Sequence, residues 1–190
     1  MNHKKRCDWV EVHPLMRDYH DNEWGVTVHD DPKLFEFLVL DAFQAGLSWL
    51  TVLKKREAFR EAFDNFNAKS IARYDEYKVE ALMQNAGIIR NRLKINGTIR
   101  NARAFLKIRQ EYGSFDQFIW QFTEHKTIVN HFNSIKEIPS RSPESDAMSK
   151  ALLKEGFTFV GSTICYAFMQ ASGMVNDHLN CCFKYENNLK

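Results

Sequence analysis

Residues 31–63 read DPKLFEFLVLDAFQAGLSWLTVLKKREAFREAF. From Leu34 to Phe43 only Glu36 and Asp41 interrupt the apolar residues, so a helix here has almost no polar face and belongs in the interior. Asp31 as N-cap and Pro32 at the first helical position give its start. Gly46 ends it, and Ser48 is placed to cap a second helix through Trp49, Val52, Leu53, Phe59 and Phe63, whose other side is charged. No segment of the chain sustains apolar and polar alternation over strand length, so the expected class is all-α.

Outward from this pair, helical patterning predicts helices around residues 75–85, from about Arg90 to Gln110, after Ser114, from Pro143 to about Glu155, and from Ser162 to Ala171. The stretch Ser134 to Ser145, with Pro139 and Pro143, is the clearest long loop and the one candidate hinge, so a single domain over residues 1–190 with room for two lobes is expected. Residues 1–30, holding His13, Tyr19, His20, Trp24 and Gly25, show no helical periodicity and are expected to wrap the core irregularly.

Composition sets outer bounds. The chain has 190 residues, 44% hydrophobic and 26% charged, with 15 Phe and 4 Trp, which suits one well-filled core or a stacking site. The net charge of +2 says little about partners, so the placement of charge must carry any nucleic-acid argument. The start MNHKKRCDWVEVHP has basic residues but no apolar run behind them, and nothing later resembles a membrane span. Cys7, Cys165, Cys181 and Cys182 lack the spacing of a disulfide scaffold, and a soluble protein of the reducing cytoplasm is expected.

Three constellations carry chemistry. Between Glu80 and Glu111 there is no acidic residue, while Arg90, Arg92, Lys94, Arg100, Arg103, Lys107 and Arg109 are all cationic. The block opens at Asn85-Ala86-Gly87-Ile88-Ile89-Arg90, a helix-hairpin-helix signature. Gly87 would let the backbone turn tightly there, and the amides opening the second helix, with Arg90 and Arg92, would hold a phosphate oxygen. An ordinary helical hairpin with a solvated basic face is the competing reading. Cys7, His20, His178 and Cys182 are zinc-ligand types, and His178 and Cys182 at i, i+4 share a helical face, with Cys181 a competing ligand. Such a site would staple the two ends of the chain and have no open position for catalysis. Asp41 lies inside the apolar helix and points to the interior or to a pocket, where Trp9, Tyr19, Trp24 and Trp49 are candidates to surround it. A carboxylate among aromatic rings suits a flat, cationic or electron-poor ligand; a structural carboxylate satisfied by a nearby arginine or a helix terminus is the alternative.

Cys7-Asp8-Trp9, Tyr19 to Gly25, Gln44 to Arg56, Ala86 to Arg90, and Phe159-Val160-Gly161 through Asn176-Asp177-His178 together resemble the DNA-3-methyladenine glycosylase I family, in order and over nearly the whole chain. The resemblance implies a helix-hairpin-helix DNA glycosylase fold with zinc-stapled N- and C-termini. It implies one structural Zn²⁺ on Cys7, His20, His178 and Cys182, which decides against Cys181, and base contacts from Asp41, Tyr19 and Trp49 with Trp9 and Trp24 close by. The implied activity is release of free 3-methyladenine from alkylated double-stranded DNA after the nucleotide is flipped out, by a monomeric bacterial enzyme that does not cleave the strand. Leu47, in the turn between the first two helices, is the candidate wedge for the emptied stack, with core packing as its alternative. The chain departs from the family pattern at Asp41, where glutamate is usual, at Met16, where tyrosine is common, and at Ala42-Phe43. Those departures leave open a different alkylpurine preference, or a DNA-damage sensor of the same fold without chemistry.

Overall fold

A computed structural model describes residues 4–187. Helices dominate them: α1 (Pro14–Asn22), α2 (Asp31–Gln44), α3 (Trp49–Ala62), α4 (Ala68–Ile71), α5 (Glu76–Gln84), α6 (Arg92–Tyr112), α7 (Phe115–Trp120), α8 (Pro143–Lys154), α9 (Ser162–Ala171) and α10 (Phe183–Asn187). The two-residue strands β1 (Ile128–Val129) and β2 (Val175–Asn176) pair in parallel. Strand patterning could not have announced them, because two residues have no period.

The interior is built on α2. Every residue from Leu34 to Phe43 is buried, as its apolar circumference requires, and the helix packs against α3, α6, α7 and α9. Phe43 packs edge-on into a ring cluster with Phe59 of α3 and Phe63 at its C-cap. The true N-cap of α2 is Asp30, whose carboxylate accepts from the Lys33 amide at 2.9 Å; Asp31 is already helical and its carboxylate instead accepts from the amides of Phe115 and Asp116 at 3.1 and 2.8 Å. At the far end Gly46 takes φ +84, and the Ser48 side chain caps α3 through the Thr51 amide at 3.3 Å, as expected.

The N-terminal segment is not irregular. Asp8–Val12 forms a 3-10 helix and α1 follows directly, with Pro14 in its first turn and His13 accepting from the Leu15 amide at 3.1 Å. The signal was present in the sequence: a capping side chain, proline at the helix start, and Met16, Tyr19 and His20 at i, i+3, i+4, all three buried. Within the loop that is the candidate hinge, Ile135–Glu137 forms a turn of 3-10 helix, and Ile135 and Ile138 line the cavity described below.

Between α5 and α6 lies the expected hairpin. Gly87 is needed there for a reason other than a tight turn: its φ is not left-handed, but a Cβ would come within 2.9 Å of Ala58 Cβ on α3 and of Asn85 Oδ1. Lys55 of α3 holds the Ala86 and Gly87 carbonyls at 2.8 and 3.2 Å, and the Asn91 side chain caps α6 through the Lys94 amide at 3.1 Å.

Candidate functional site

α1, α2, α3 and α9 converge on a cavity of about 380 Å³ lined by Trp9, Met16, Tyr19, Trp24, Asp41, Gln44, Trp49, Ile135, Ile138, Ala167 and Gln170. All five residues expected near the base are in this wall, and so is Met16. Phe43 is not; it faces the opposite side of α2, so it fills no space beside Asp41. Gln44, Ala167, Gln170 and the two isoleucines were not singled out from the sequence. Gln44 follows Asp41 by one helical turn, a spacing that could have found it, whereas the others reach the cavity only through tertiary packing.

The cavity is aromatic and has two unsatisfied polar atoms. Tyr19 and Trp49 meet at 5.3 Å between ring centroids with their planes tilted by 51°, and Trp9 and Trp24 meet edge to face at 5.1 Å. Asp41 Oδ2 and the Trp49 indole Nε1 are buried without a hydrogen-bond partner. Burial alone pushes the Asp41 carboxyl well above the usual carboxylate range, and burial followed by the nearby Asp41 charge raises the Tyr19 phenol. Glu36, on the same helix, shows what a structural acid looks like here: its carboxylate accepts from Arg60 Nε and Nη2 at 2.9 and 2.7 Å and from Lys33 Nζ at 3.3 Å. The reading of Asp41 as an arginine-satisfied carboxylate therefore fails for Asp41 and holds for Glu36.

Behind Trp9 and Trp24 lies a second buried cluster. The ligand atoms of Cys7, His20, His178 and Cys182 all fall within 4.8 Å of one another, and all four residues are buried, while Cys181 is exposed. Cys182 Sγ lies 3.4 Å from His20 Nε2 and 3.7 Å from His178 Nδ1, and Cys7 Sγ lies 3.8 Å from His178 Nδ1. The remaining ring nitrogens are held by outer partners: His20 Nδ1 is 2.8 Å from Asp21 Oδ1, which Arg6 grips, and His178 Nε2 is 3.2 Å from the Trp24 carbonyl. Two thiols and two oriented imidazoles, each ring fixed from behind by a carboxylate or carbonyl, match the donor set and support that a tetrahedral divalent ion needs. The contact between the two thiols lowers the Cys182 pKa, with the two histidines adding to that, and the same contact together with burial raises the Cys7 pKa. The described residues thus hold a cluster that could bind a metal.

The basic block is continuous in sequence and interrupted in space. Arg92 pairs with Glu76 and Glu80 of α5, Lys107 with Glu155 at 2.9 Å, and Arg109 with Asp31 at 2.9 Å. Arg103 donates to the Ala72 carbonyl, and Lys94 is buried with Nζ on the carbonyls of Phe43 and Ala45 at 2.9 and 2.8 Å. Among the described residues, Arg90 and Arg100 remain without an ion-pair partner, and Arg92 does not present a free guanidinium as expected. Leu47 is 43% exposed, so core packing does not explain it.

No helix among the described residues is long and apolar enough to cross a membrane. The methyladenine glycosylase family matches residues 9–185. DNA-3-methyladenine glycosylase 1 of Escherichia coli (strain K12) is 52% identical over 184 residues, covering 97% of this chain and 98% of that protein. A crystal structure of 3-methyladenine DNA glycosylase I superposes with a TM-score of 0.92 at 53% identity, covering 94% of this chain and 98% of the other. A variant of 3-methyladenine DNA glycosylase I, crystallised in complex with 3-methyladenine, superposes with the same TM-score of 0.92 at 32% identity, over 95% and 97% of the two chains. With a family match across nearly its whole length and a cavity of aromatic walls around one unsatisfied acid, this chain belongs to the methyladenine glycosylase family.

Proposed function

We propose that this chain is a base-excision repair glycosylase that rotates 3-methyladenine out of alkylated double-stranded DNA into the aromatic cavity and hydrolyses its bond to deoxyribose. The observation that carries this reading is the pair of unsatisfied atoms, Asp41 Oδ2 and Trp49 Nε1, among stacking rings. Adenine offers an amine donor and the N7 acceptor on one edge, which an acid oxygen and an indole N–H complement.

The raised Asp41 pKa supplies selectivity. In the empty cavity, ionising the carboxyl is disfavoured by burial. A neutral adenine does little to offset that cost, whereas a base made cationic by N3-methylation stabilises the carboxylate directly. The cationic base is already a good leaving group: a water oxygen bonds to C1′ as the C1′–N9 bond breaks, the bonding pair returns to the base, which departs neutral, and the water's proton passes to solvent. The chain's part is to exclude bulk water, pack the base against the Tyr19 and Trp49 rings, and hold its cationic form over Asp41. Among the described residues no lysine lines the cavity, which supports hydrolysis without strand cleavage.

In this reading the chain works as one domain and as a monomer. Gly87 and Arg90, with Arg92 behind its glutamates, dock the duplex backbone, and Leu47 fills the emptied stack. Cys7, His20, His178 and Cys182 hold one structural zinc. The test is mass analysis of bases released from methylated duplex DNA: free 3-methyladenine with intact strands is expected. Binding of the same DNA without release of any base would overturn the reading in favour of a sensor.

A further inference from the structure

Phe159 sits in the loop between α8 and α9 with φ +57, a backbone conformation that bulky side chains rarely adopt. The buried Asn101 of α6 holds it there: Asn101 Nδ2 donates to the Thr158 carbonyl at 3.0 Å, and its Oδ1 accepts from the Thr158 amide at 2.8 Å. Gly97 makes room for the ring, since a Cβ at that position would lie 2.7 Å from Phe159 Cδ2 and Cε2. Its neighbours Phe157 and Val160 are fully buried, yet Phe159 remains 38% exposed. A clamp, a glycine seat and an unfavourable backbone all serve to keep one aromatic ring at the surface, which core packing does not require.

The location gives it a purpose. Lys94 lies one helical turn before Gly97 on the same face of α6, and its ammonium is bonded to the Ala45 carbonyl at 2.8 Å, two residues from the exposed Leu47. Two exposed apolar side chains on separate loops are therefore tied to adjacent turns of one helix, the second helix of the hairpin. A flipped nucleotide leaves a gap in its own strand and an unpaired partner on the other. One leucine fills the first and has no flat face for the second.

We infer that Phe159 is a second DNA-contacting side chain that stacks on the unpaired partner of the flipped nucleotide. This rests on the proposed excision reaction and on Leu47 as the wedge. It predicts that Phe159 contributes to duplex engagement and not to base binding, because its ring is not in the cavity wall.

The test uses the full chain and a duplex carrying a stable abasic analogue opposite 5-iodouracil, a thymine substitute that crosslinks to stacked aromatic rings on irradiation. The expected crosslink maps to the peptide containing Phe159. Phe159→Asn keeps the left-handed backbone accessible and should retain the parental melting temperature and affinity for free 3-methyladenine, while binding the abasic duplex roughly 5- to 100-fold more weakly. Phe159→Tyr should restore binding. A crosslink mapping elsewhere in the bound complex, or a folded Phe159→Asn variant with parental duplex affinity, would overturn the inference. Leu47→Ala separates this failure from that of the underlying reading: if that variant also binds and excises at parental levels, the turn itself is not at the DNA, and the Leu47 wedge and the Phe159 inference fall while excision stands; if the parent itself releases no base, the excision reading falls. If only the leucine variant is impaired, the Phe159 inference alone is lost.

Discussion

The metal cluster and the base cavity lie back to back across Trp9 and Trp24, and they treat buried polar atoms in opposite ways. Trp24 shows the adjacency, with its indole 4.6 Å from the His178 ring while it also lines the cavity. In the cluster, both outward ring nitrogens have partners, in Asp21 and the Trp24 carbonyl, and the inward atoms converge on one point. In the cavity, Asp41 Oδ2 and Trp49 Nε1 have none. A buried polar group left without a partner costs about 1–3 kcal/mol, so a fold retains two of them at one spot when a ligand completes them. In the proposed function the satisfied cluster serves stability and the unsatisfied pair serves recognition, so substitutions on the two sides should fail differently.

The largest effect is expected from the cluster. Cys182→Ser removes a ligand and leaves a second buried thiol facing two imidazoles; loss of a structural metal belongs to the few mechanisms that cost on the order of 4–5 kcal/mol. For a chain of this length that is roughly 8–20 °C in Tm. Metal analysis of freshly purified parent should give one zinc per chain and the variant should lose it, while Cys181→Ser, altering an exposed thiol, should change neither metal content nor Tm. A Cys182→Ser protein with parental Tm and metal would break the comparison at its first term.

Asp41→Asn should fail in the other direction. An amide can accept one hydrogen bond but cannot carry charge, and charge-assisted bonds are worth roughly 1.5–3 kcal/mol, so single-turnover release of 3-methyladenine should fall roughly 10- to 100-fold with the metal retained. The same change should stabilise the fold. The folded-state pKa of Asp41 is raised, so its contribution is fully present below the unfolded value of roughly 3.9 and is lost as pH rises through the folded pKa. Asparagine has no such loss, and the Tm of the variant should gain on the parent as pH increases. A gap that closes with rising pH would show that Asp41 has a cationic partner in the folded chain.

Residues 31–63 made the fold legible because their patterns are local: a helix buried on all sides, a glycine stop and a serine cap. The candidate metal ligands were legible only in part, since residue type and the i, i+4 spacing of His178 and Cys182 suggest a half-site. Joining it to Cys7 and His20 requires the chain ends to meet, which family resemblance implied and no spacing could. Asp41 stood out because a carboxylate in an apolar run is conspicuous, but the same pattern flags Glu36, and only the position of Arg60 on α3 tells the two apart. The basic block misled for that reason as well. Charges continuous along the chain met Glu76, Glu80, Glu155 and Asp31 from elsewhere in the fold.

That block extends the contrast between satisfied and unsatisfied groups to the surface, where the expected effect is smallest. Arg90 and Arg92 flank the start of α6 and look equivalent in sequence. Arg92 is committed to two glutamates of α5, while Arg90 has no ion-pair partner among the described residues. A cation already neutralised within the protein displaces no counterion from DNA when it binds, so it adds nothing to the salt dependence; a free one adds about 0.9 to the slope per phosphate neutralised. Arg90→Ala should therefore lower the slope of log affinity against log salt by about 1, with sequence preference unchanged because phosphate contacts carry none. Arg92→Ala should weaken binding by uncovering Glu76 and Glu80 near the backbone, yet leave the slope where it was. Measuring both variants on one duplex across a salt series decides the matter. Equal loss of slope in the two would show that Arg92 leaves its glutamates for the phosphates on binding, and that a paired surface cation is as available to DNA as a free one.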